Sequence, residues 1–100
     1  MTVKLTALYR RPPDEATFLH HYDTVHAPLV RQTPHLQSMS VSAITANLVG
    51  GANLFMIAEM HFADREAFDA AMASPENRAA GRDLMAFAGD LVTLIVSEAR

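Results

Sequence analysis

Hydrophobic and polar positions alternate at the start of the chain and then take up a helical spacing. Residues 3–9 alternate with a period of two, which predicts a strand. Residues 10–13, Arg-Arg-Pro-Pro, end this strand because proline cannot donate to a sheet ladder. From Asp14 onward the spacing predicts a helix, and its apolar stripe has His26 at its edge and consists of Phe18, Tyr22, Val25 and Leu29.

Pro28 lies inside this helical pattern. It has no N–H group to donate to the carbonyl of Thr24, and its ring crowds that carbonyl. We therefore expect a kink or a tightened turn between Thr24 and Ala27, close to His26. The helix should end before Pro34, because the residue before a proline disfavours helical backbone.

The rest of the chain predicts two strands joined by a hairpin, two consecutive helices and a last strand. Asp64 and Ser74 are the expected N-caps of the two helices. The five elements span residues 36–48, 54–62, 65–72, 75–88 and 91–97. The complete order, strand–helix–strand–strand–helix–strand, is that of the ferredoxin-like α+β fold. We predict a single domain over residues 1–100, with a four-stranded antiparallel sheet that carries its helices on one face.

Composition and charge narrow the possible partners. Half of the residues are hydrophobic and both faces of the later strands look apolar, so we expect a homodimer through the open face of the sheet. The net charge is −3, and without a basic cluster beyond Arg10 and Arg11 no nucleic-acid partner is expected. No apolar run reaches the length of a membrane span, so no membrane association is expected. Met1 is not followed by a signal-peptide pattern, which predicts a cytoplasmic protein.

Candidate chemistry is concentrated in the first helix, where His26 follows Tyr22 by one turn. Histidine titrates near neutral pH, so His26 could act as an acid–base group and Tyr22 could orient a phenol, enol or carboxylate. Both residues also have a plain structural interpretation: a histidine bonded to backbone and a core tyrosine whose hydroxyl lies at the rim. The sequence leaves these alternatives open.

Other side chains are candidates for the walls of a cleft between this helix and the sheet. Glu59 and His61 share one face of a strand, which lines either this cleft or a dimer interface. The histidines of the first helix do not have the spacing of a metal site, so we predict neither a metal nor a cofactor. The candidate substrate-binding residues are Tyr9, Phe18, Leu29, His61 and Phe87.

The first helix resembles that of the EthD family. The resemblance rests on Phe18-x-x-His21-Tyr22-x-x-x-His26-x-Pro28-Leu29, which follows a strand and a proline-rich turn. His21 stands where the family usually has an aromatic residue. The resemblance extends over nearly the whole chain and implies a dimeric α+β barrel.

The same resemblance implies a range of functions rather than one. The family is named for a protein of ether degradation that accompanies a haem monooxygenase system, and fungal relatives look like dehydratases or decarboxylases of aromatic polyketides. The same barrel hosts cofactor-free monooxygenases, lactone isomerases and haem-handling proteins, so the fold alone does not select a reaction.

Our first hypothesis is an enzyme of the cofactor-free oxidoreductase, lyase or isomerase type, acting on a small hydrophobic oxygenated or aromatic molecule. Degradation of xenobiotics fits this hypothesis. The alternatives are a non-catalytic ligand-binding or accessory protein to an oxygenase system, and a closed pocket whose histidines are only structural.

Overall fold

One antiparallel sheet of four strands forms the base of the molecule. A computed structural model describes residues 1–100, and its strands are β1 (Val3–Arg10), β2 (Ser38–Ala43), β3 (Leu54–Phe62) and β4 (Val92–Glu98). Their order across the sheet is β2-β3-β1-β4. This order places the first and third strands of the chain side by side in the centre, as the ferredoxin-like prediction requires. The predicted α+β fold is confirmed.

The helices lie on one side of this sheet. They are α1 (Glu15–His21), a π-helical segment (Tyr22–His26), α2 (Ala27–Arg31), α3 (Arg65–Met72) and α4 (Pro75–Ala88). The side chains of three N-cap residues accept hydrogen bonds from backbone N–H groups, and these caps are Asp14, Asp64 and Ser74. The start of each helical region is therefore encoded locally. None of the helices is long and apolar enough to cross a membrane.

Alternation along the two central strands decides which side chains face the helices. Ala7 is in register with Ala58 and Tyr9 with Met56, and all four are buried beneath the helices. The opposite, helix-free face has an apolar centre, formed by Leu8, Ile57 and Ile95, within a polar surround. The polar residues of this face are Lys4, Thr6, Ser38, Ser40, Ser42, Glu59, His61, Thr93 and Ser97. The expectation that the open face is apolar therefore holds for its centre and is wrong for the surrounding residues.

Strand β2 is shorter than the expected 36–48 and ends at Ala43. Beyond it, the side-chain amide of Asn47 accepts a hydrogen bond from the N–H of Leu54 and donates one to its carbonyl. Hydrogen bonds from a side chain therefore replace those of the strand ladder there. Strand β3 has its own irregularity opposite Tyr9 and Arg10, where the register shifts by one residue. This bulge turns Phe55 onto the helix side, where its ring lies 5.8 Å from that of Phe18.

The turn before Pro28 is widened rather than tightened, so that part of the prediction is wrong. The N–H of Ala27 donates to the carbonyl of Tyr22, five residues earlier, which is the π-helical pattern. The hydroxyl of Thr24 donates to the carbonyl of His20 at 2.6 Å within the same turn. Proline has no N–H group to donate, and the turn before it adapts to this by including one extra residue.

The widened turn changes which side chains face the sheet. A π turn holds more residues than an α turn, so each residue advances less around the helix axis. Val25, expected in the buried stripe, is 40% exposed, whereas His26, expected at its edge, is 4% exposed. The π turn thus places an ionisable ring in the interior where an α-helix would place valine.

Candidate functional site

A cavity of about 140 Å³ lies between the sheet and the helices. An apolar cavity of about 150 Å³ in a protein core is known to bind benzene, so this volume suits one six-membered ring. Most of the lining is hydrophobic, from Leu5, Ala7, Val30, Leu36, Met39, Ala58, Met60, Phe62, Met72, Ala80, Leu84 and Leu94. The polar and small members of the lining are Tyr9, Tyr22, His26, Thr33, Asn77 and Gly81. A mostly apolar concave space with a few polar groups is the usual form of a small-molecule site.

His26 is fixed in this lining by a carboxylate from another element. Its Nδ1 lies 3.0 Å from Oδ2 of Asp83, in α4. The other oxygen of the same carboxylate, Oδ1, lies 2.8 Å from Nε2 of His21. The ring of Phe87 packs against both imidazoles, with ring centroids 4.6 Å from His21 and 5.0 Å from His26. Asp83 therefore joins the first helical region to α4 through a partly buried, shared carboxylate.

These contacts define the protonation state of His26. Burial lowers the pKa of His26 below its usual value, and the hydrogen bond and charge of Asp83 oppose this without reversing it. The imidazole is therefore neutral at pH 7. Because the carboxylate of Asp83 accepts a hydrogen bond from Nδ1, the proton is on Nδ1 and the lone pair is on Nε2. Nε2 has no partner within the chain and is free to accept a proton.

Tyr22, another residue of the cavity lining, has a hydroxyl without a hydrogen-bond partner. Its oxygen is buried and forms no hydrogen bond. The Tyr22 ring lies 5.6 Å from that of His26 and 5.9 Å from that of Tyr9. Burial raises the pKa of Tyr22 to about 12 and raises that of Tyr9 as well, so both phenols stay protonated at neutral pH. Buried hydroxyls normally have partners, and an exception of this kind calls for an explanation.

The structure brings only some of the predicted site residues to the cavity. Tyr9, Tyr22 and His26 line it, whereas Phe18, Leu29 and Phe87 do not. Phe18 and Phe87 lie behind the lining, with ring centroids 5.3 Å apart, in one aromatic cluster with the site tyrosines. Leu29 packs against the core without reaching the cavity. These three residues support the site instead of forming its walls.

His61 belongs to the other face of the sheet. It is in register with Lys4 and with Ser38, and all three point away from the helices. Its neighbour on that face, Glu59, accepts a hydrogen bond from Lys4 at 3.2 Å. The prediction of His61 as a wall of the cleft does not agree with this placement, because residues 60 and 62 are the ones that face the cavity.

Sequence reasoning missed Asp83 altogether. The residue follows Ala80 by three and precedes Phe87 by four, so it lies beside the buried stripe of α4. An acidic residue at such a border was the available signal. Pairing it with two histidines more than fifty residues away required the tertiary structure.

Comparison with known proteins shows which proteins the chain is similar to. A sequence profile described as the EthD domain matches residues 10–90. An ethyl tert-butyl ether d (EthD) family protein from Bacillus halodurans has a solved structure that is 41% identical, with a TM-score of 0.93 and complete coverage of both chains. A protein of Rhodococcus erythropolis, described as an uncharacterized 11.0 kDa protein in the thcB-thcC intergenic region, is 28% identical over 95% of this chain and 92% of its own.

Two more distant solved structures share the fold. A dimeric ferredoxin-like protein of unknown function from Jannaschia sp. is 16% identical, with a TM-score of 0.72 and coverage of 99% of this chain and 100% of its own. The hydroxynitrile lyase of Passiflora edulis is 10% identical, with a TM-score of 0.79 and coverage of 99% of this chain and 94% of its own. The profile match over most of the chain and the 41% identical relative establish that the chain belongs to the EthD family.

Proposed function

We propose that the cavity binds a small hydrophobic molecule with one oxygen-bearing group, about the size of a single six-membered ring, and that His26 exchanges a proton with it. The observation that carries this proposal is that two side chains in the lining of one apolar cavity have polar atoms without a partner in the chain, namely Nε2 of His26 and the hydroxyl oxygen of Tyr22. One accepts a hydrogen bond and the other can donate one. A ligand with a single hydroxyl would satisfy both, because a hydroxyl donates one hydrogen bond and accepts another, whereas a carbonyl would satisfy the Tyr22 hydroxyl alone.

The proton transfer needs only groups of this chain and of the ligand. The lone pair of Nε2 takes a proton from a ligand O–H, or from a C–H next to a carbonyl, and the ligand becomes its conjugate anion. The imidazolium that forms keeps its Nδ1–H on the carboxylate of Asp83, which stabilises the new positive charge. The hydroxyl of Tyr22 donates to the ligand oxygen, where negative charge develops. Return of the proton from Nε2 completes the exchange.

Calorimetric titration with phenol tests the binding part of this proposal. We expect the wild-type protein to bind phenol and His26→Ala to bind it about 3- to 10-fold more weakly, as the loss of one hydrogen bond predicts. His61→Ala is the matched control, because it removes a histidine from the opposite face of the sheet. Equal phenol affinity in the wild type and in His26→Ala would contradict the proposal.

Deuterium exchange tests the acid–base part. Cyclopentanone has a comparable size and carries exchangeable hydrogens beside its carbonyl. In D2O, the wild-type protein should accelerate this exchange, as followed by proton NMR, and His26→Ala should lose the acceleration. His61→Ala should exchange at the wild-type rate.

A specific observation supports the alternative of a non-catalytic binding or accessory protein. Among the residues that line the cavity, His26 is the single group that titrates near neutrality, so no second acid or base is available to complete a multi-step reaction. This alternative predicts that cyclopentanone binds without accelerated exchange. The two experiments together therefore separate binding from catalysis.

We also propose that two copies pair through the helix-free face of the sheet. Leu8, Ile57 and Ile95 form an apolar centre there, and the polar side chains around them form a rim, as in protein interfaces. Ile95, in the edge strand β4, remains nearly half exposed in one copy. The dimeric state of the Jannaschia relative supports this pairing.

A further inference from the structure

Gly81 occupies an unfavourable place for a glycine, inside α4 and far from both ends of that helix. A glycine inside a helix lowers stability relative to alanine, because it loses more backbone freedom on folding. A glycine is required at such a place only when the backbone has a positive φ or when another group approaches too closely for a Cβ atom.

Neither requirement applies to Gly81. Its backbone is not in the positive-φ region, and a Cβ atom built on it would meet no atom within 4 Å. Gly89, at the end of the same helix, behaves differently: a Cβ atom there would lie 2.6 Å from the carbonyl oxygen of Met85. The packing of the protein therefore explains Gly89 and leaves Gly81 without an explanation.

The cavity supplies that explanation. Gly81 lines it together with Asn77 and Leu84, which lie four residues before and three residues after it on the same side of α4. A side chain at position 81 would share this side and would take space from the 140 Å³ that a ligand needs.

We infer that Gly81 sets the size of the ligand: the missing side chain keeps the cavity large enough for a six-membered ring. This inference rests on the proposed function and assigns one residue to its size limit. It explains why the helix tolerates a destabilising residue at the wall of the site. One extra or missing methylene in a hydrophobic pocket changes the discrimination between ligands by about 10-fold or more. The effect of a single methyl group added to the cavity wall should therefore be measurable.

The test is a comparison of stability and phenol binding in Gly81→Ala and Gly81→Leu. We expect Gly81→Ala to raise the midpoint of thermal unfolding by roughly 4–8 °C and to weaken phenol binding about 10-fold. Gly81→Leu should abolish phenol binding, and 4-methylphenol should lose more affinity than phenol in Gly81→Ala. The matched control is Ala86→Gly at an exposed position of α4, which should lower the midpoint and leave phenol binding unchanged.

Each outcome has a distinct meaning. Suppose that the wild-type protein binds phenol and that Gly81→Ala binds phenol and 4-methylphenol as tightly as the wild type does. This result would overturn the inference and leave the proposed function intact. A Gly81→Ala variant that is less stable than the wild type would also overturn it, because glycine would then be needed for folding. A wild-type protein that binds neither phenol nor cyclopentanone would overturn the proposed function and this inference with it.

Discussion

Replacing Tyr22 by phenylalanine should make the protein more stable and its site weaker. The variant removes the hydroxyl oxygen alone, which is buried without a hydrogen-bond partner. An unsatisfied buried polar group costs about 1–3 kcal/mol. The phenylalanine ring keeps the contacts with Tyr9, Phe18 and His26. We therefore expect Tyr22→Phe to raise the free energy of unfolding by about 1 kcal/mol, the lower end of that range.

The assay combines thermal unfolding with phenol titration. For a domain of this size, about 1 kcal/mol corresponds to a rise of roughly 4–8 °C in the unfolding midpoint. Phenol binding should weaken about 3- to 10-fold, because the ligand oxygen loses its donor. Tyr9→Phe is the control, because Tyr9 lines the same cavity. Among buried side-chain oxygens and nitrogens, the Tyr22 hydroxyl lacks a partner, and the Tyr9 hydroxyl does not belong to this class. Its stability should stay closer to that of the wild type.

A loss of about 1 kcal/mol in Tyr22→Phe would refute this reasoning, since that is the usual cost of deleting a hydroxyl that is already hydrogen-bonded. Increased stability with unchanged phenol affinity would mean that the hydroxyl is a structural defect and not part of the site. The combination of higher stability and weaker binding is what a group kept for its ligand predicts.

Four further predictions concern the surroundings of the site. Asp83→Asn should slow cyclopentanone exchange by about 10- to 100-fold, as loss of an orienting partner does, and should lower the pKa of His26 further in an NMR titration, because the carboxylate raises it. The folded-state pKa of His26 is depressed, so its contribution to stability is complete above the unfolded pKa of about 6.5 and is lost as the pH falls through the folded pKa. Below pH 6.5, the free energy of unfolding from chemical denaturation should therefore fall less in His26→Phe than in the wild type. An identical fall in both proteins would contradict this. Ile57→Asp should produce a monomer by light scattering if the helix-free face pairs two copies, whereas a wild-type monomer would contradict the pairing itself. Gly89→Ala should lower the free energy of unfolding by about 1–3 kcal/mol in chemical denaturation, because its Cβ atom would clash with the Met85 carbonyl; unchanged stability would contradict this.

The sequence was sufficient for the topology because local signals agreed with one another. Asp64 and Ser74 begin their helices where capping chemistry predicts, and α3 and α4 have the expected bounds. The period-two pattern of β1 put Tyr9 on the helix side, where it lines the cavity. Each of these features depends on residues that are neighbours along the chain.

The details of the site depended on effects that an ideal helix or strand does not contain. Pro28 signalled a distortion before it, but the helical wheel assumed α geometry throughout, so it put Val25 inside and His26 at the border. The bulge opposite Tyr9 and Arg10 similarly turns Phe55 onto the helix side, whereas strict alternation would put it on the same face as Ile57. Asp83 was missed because its two histidine partners lie on another helical region. His61 was placed in the cleft because the alternation of β3 leaves two apolar faces to choose from.

The most direct test of the account is nitrogen-15 NMR of the histidine rings during a phenol titration at neutral pH, with the His26 signals assigned by their absence in His26→Phe. Free His26 should carry its proton on Nδ1, and phenol should shift the Nε2 resonance towards the protonated value while Nδ1 stays protonated. A proton on Nε2 in the free protein, or an Nε2 resonance that saturating phenol leaves unmoved, would contradict it.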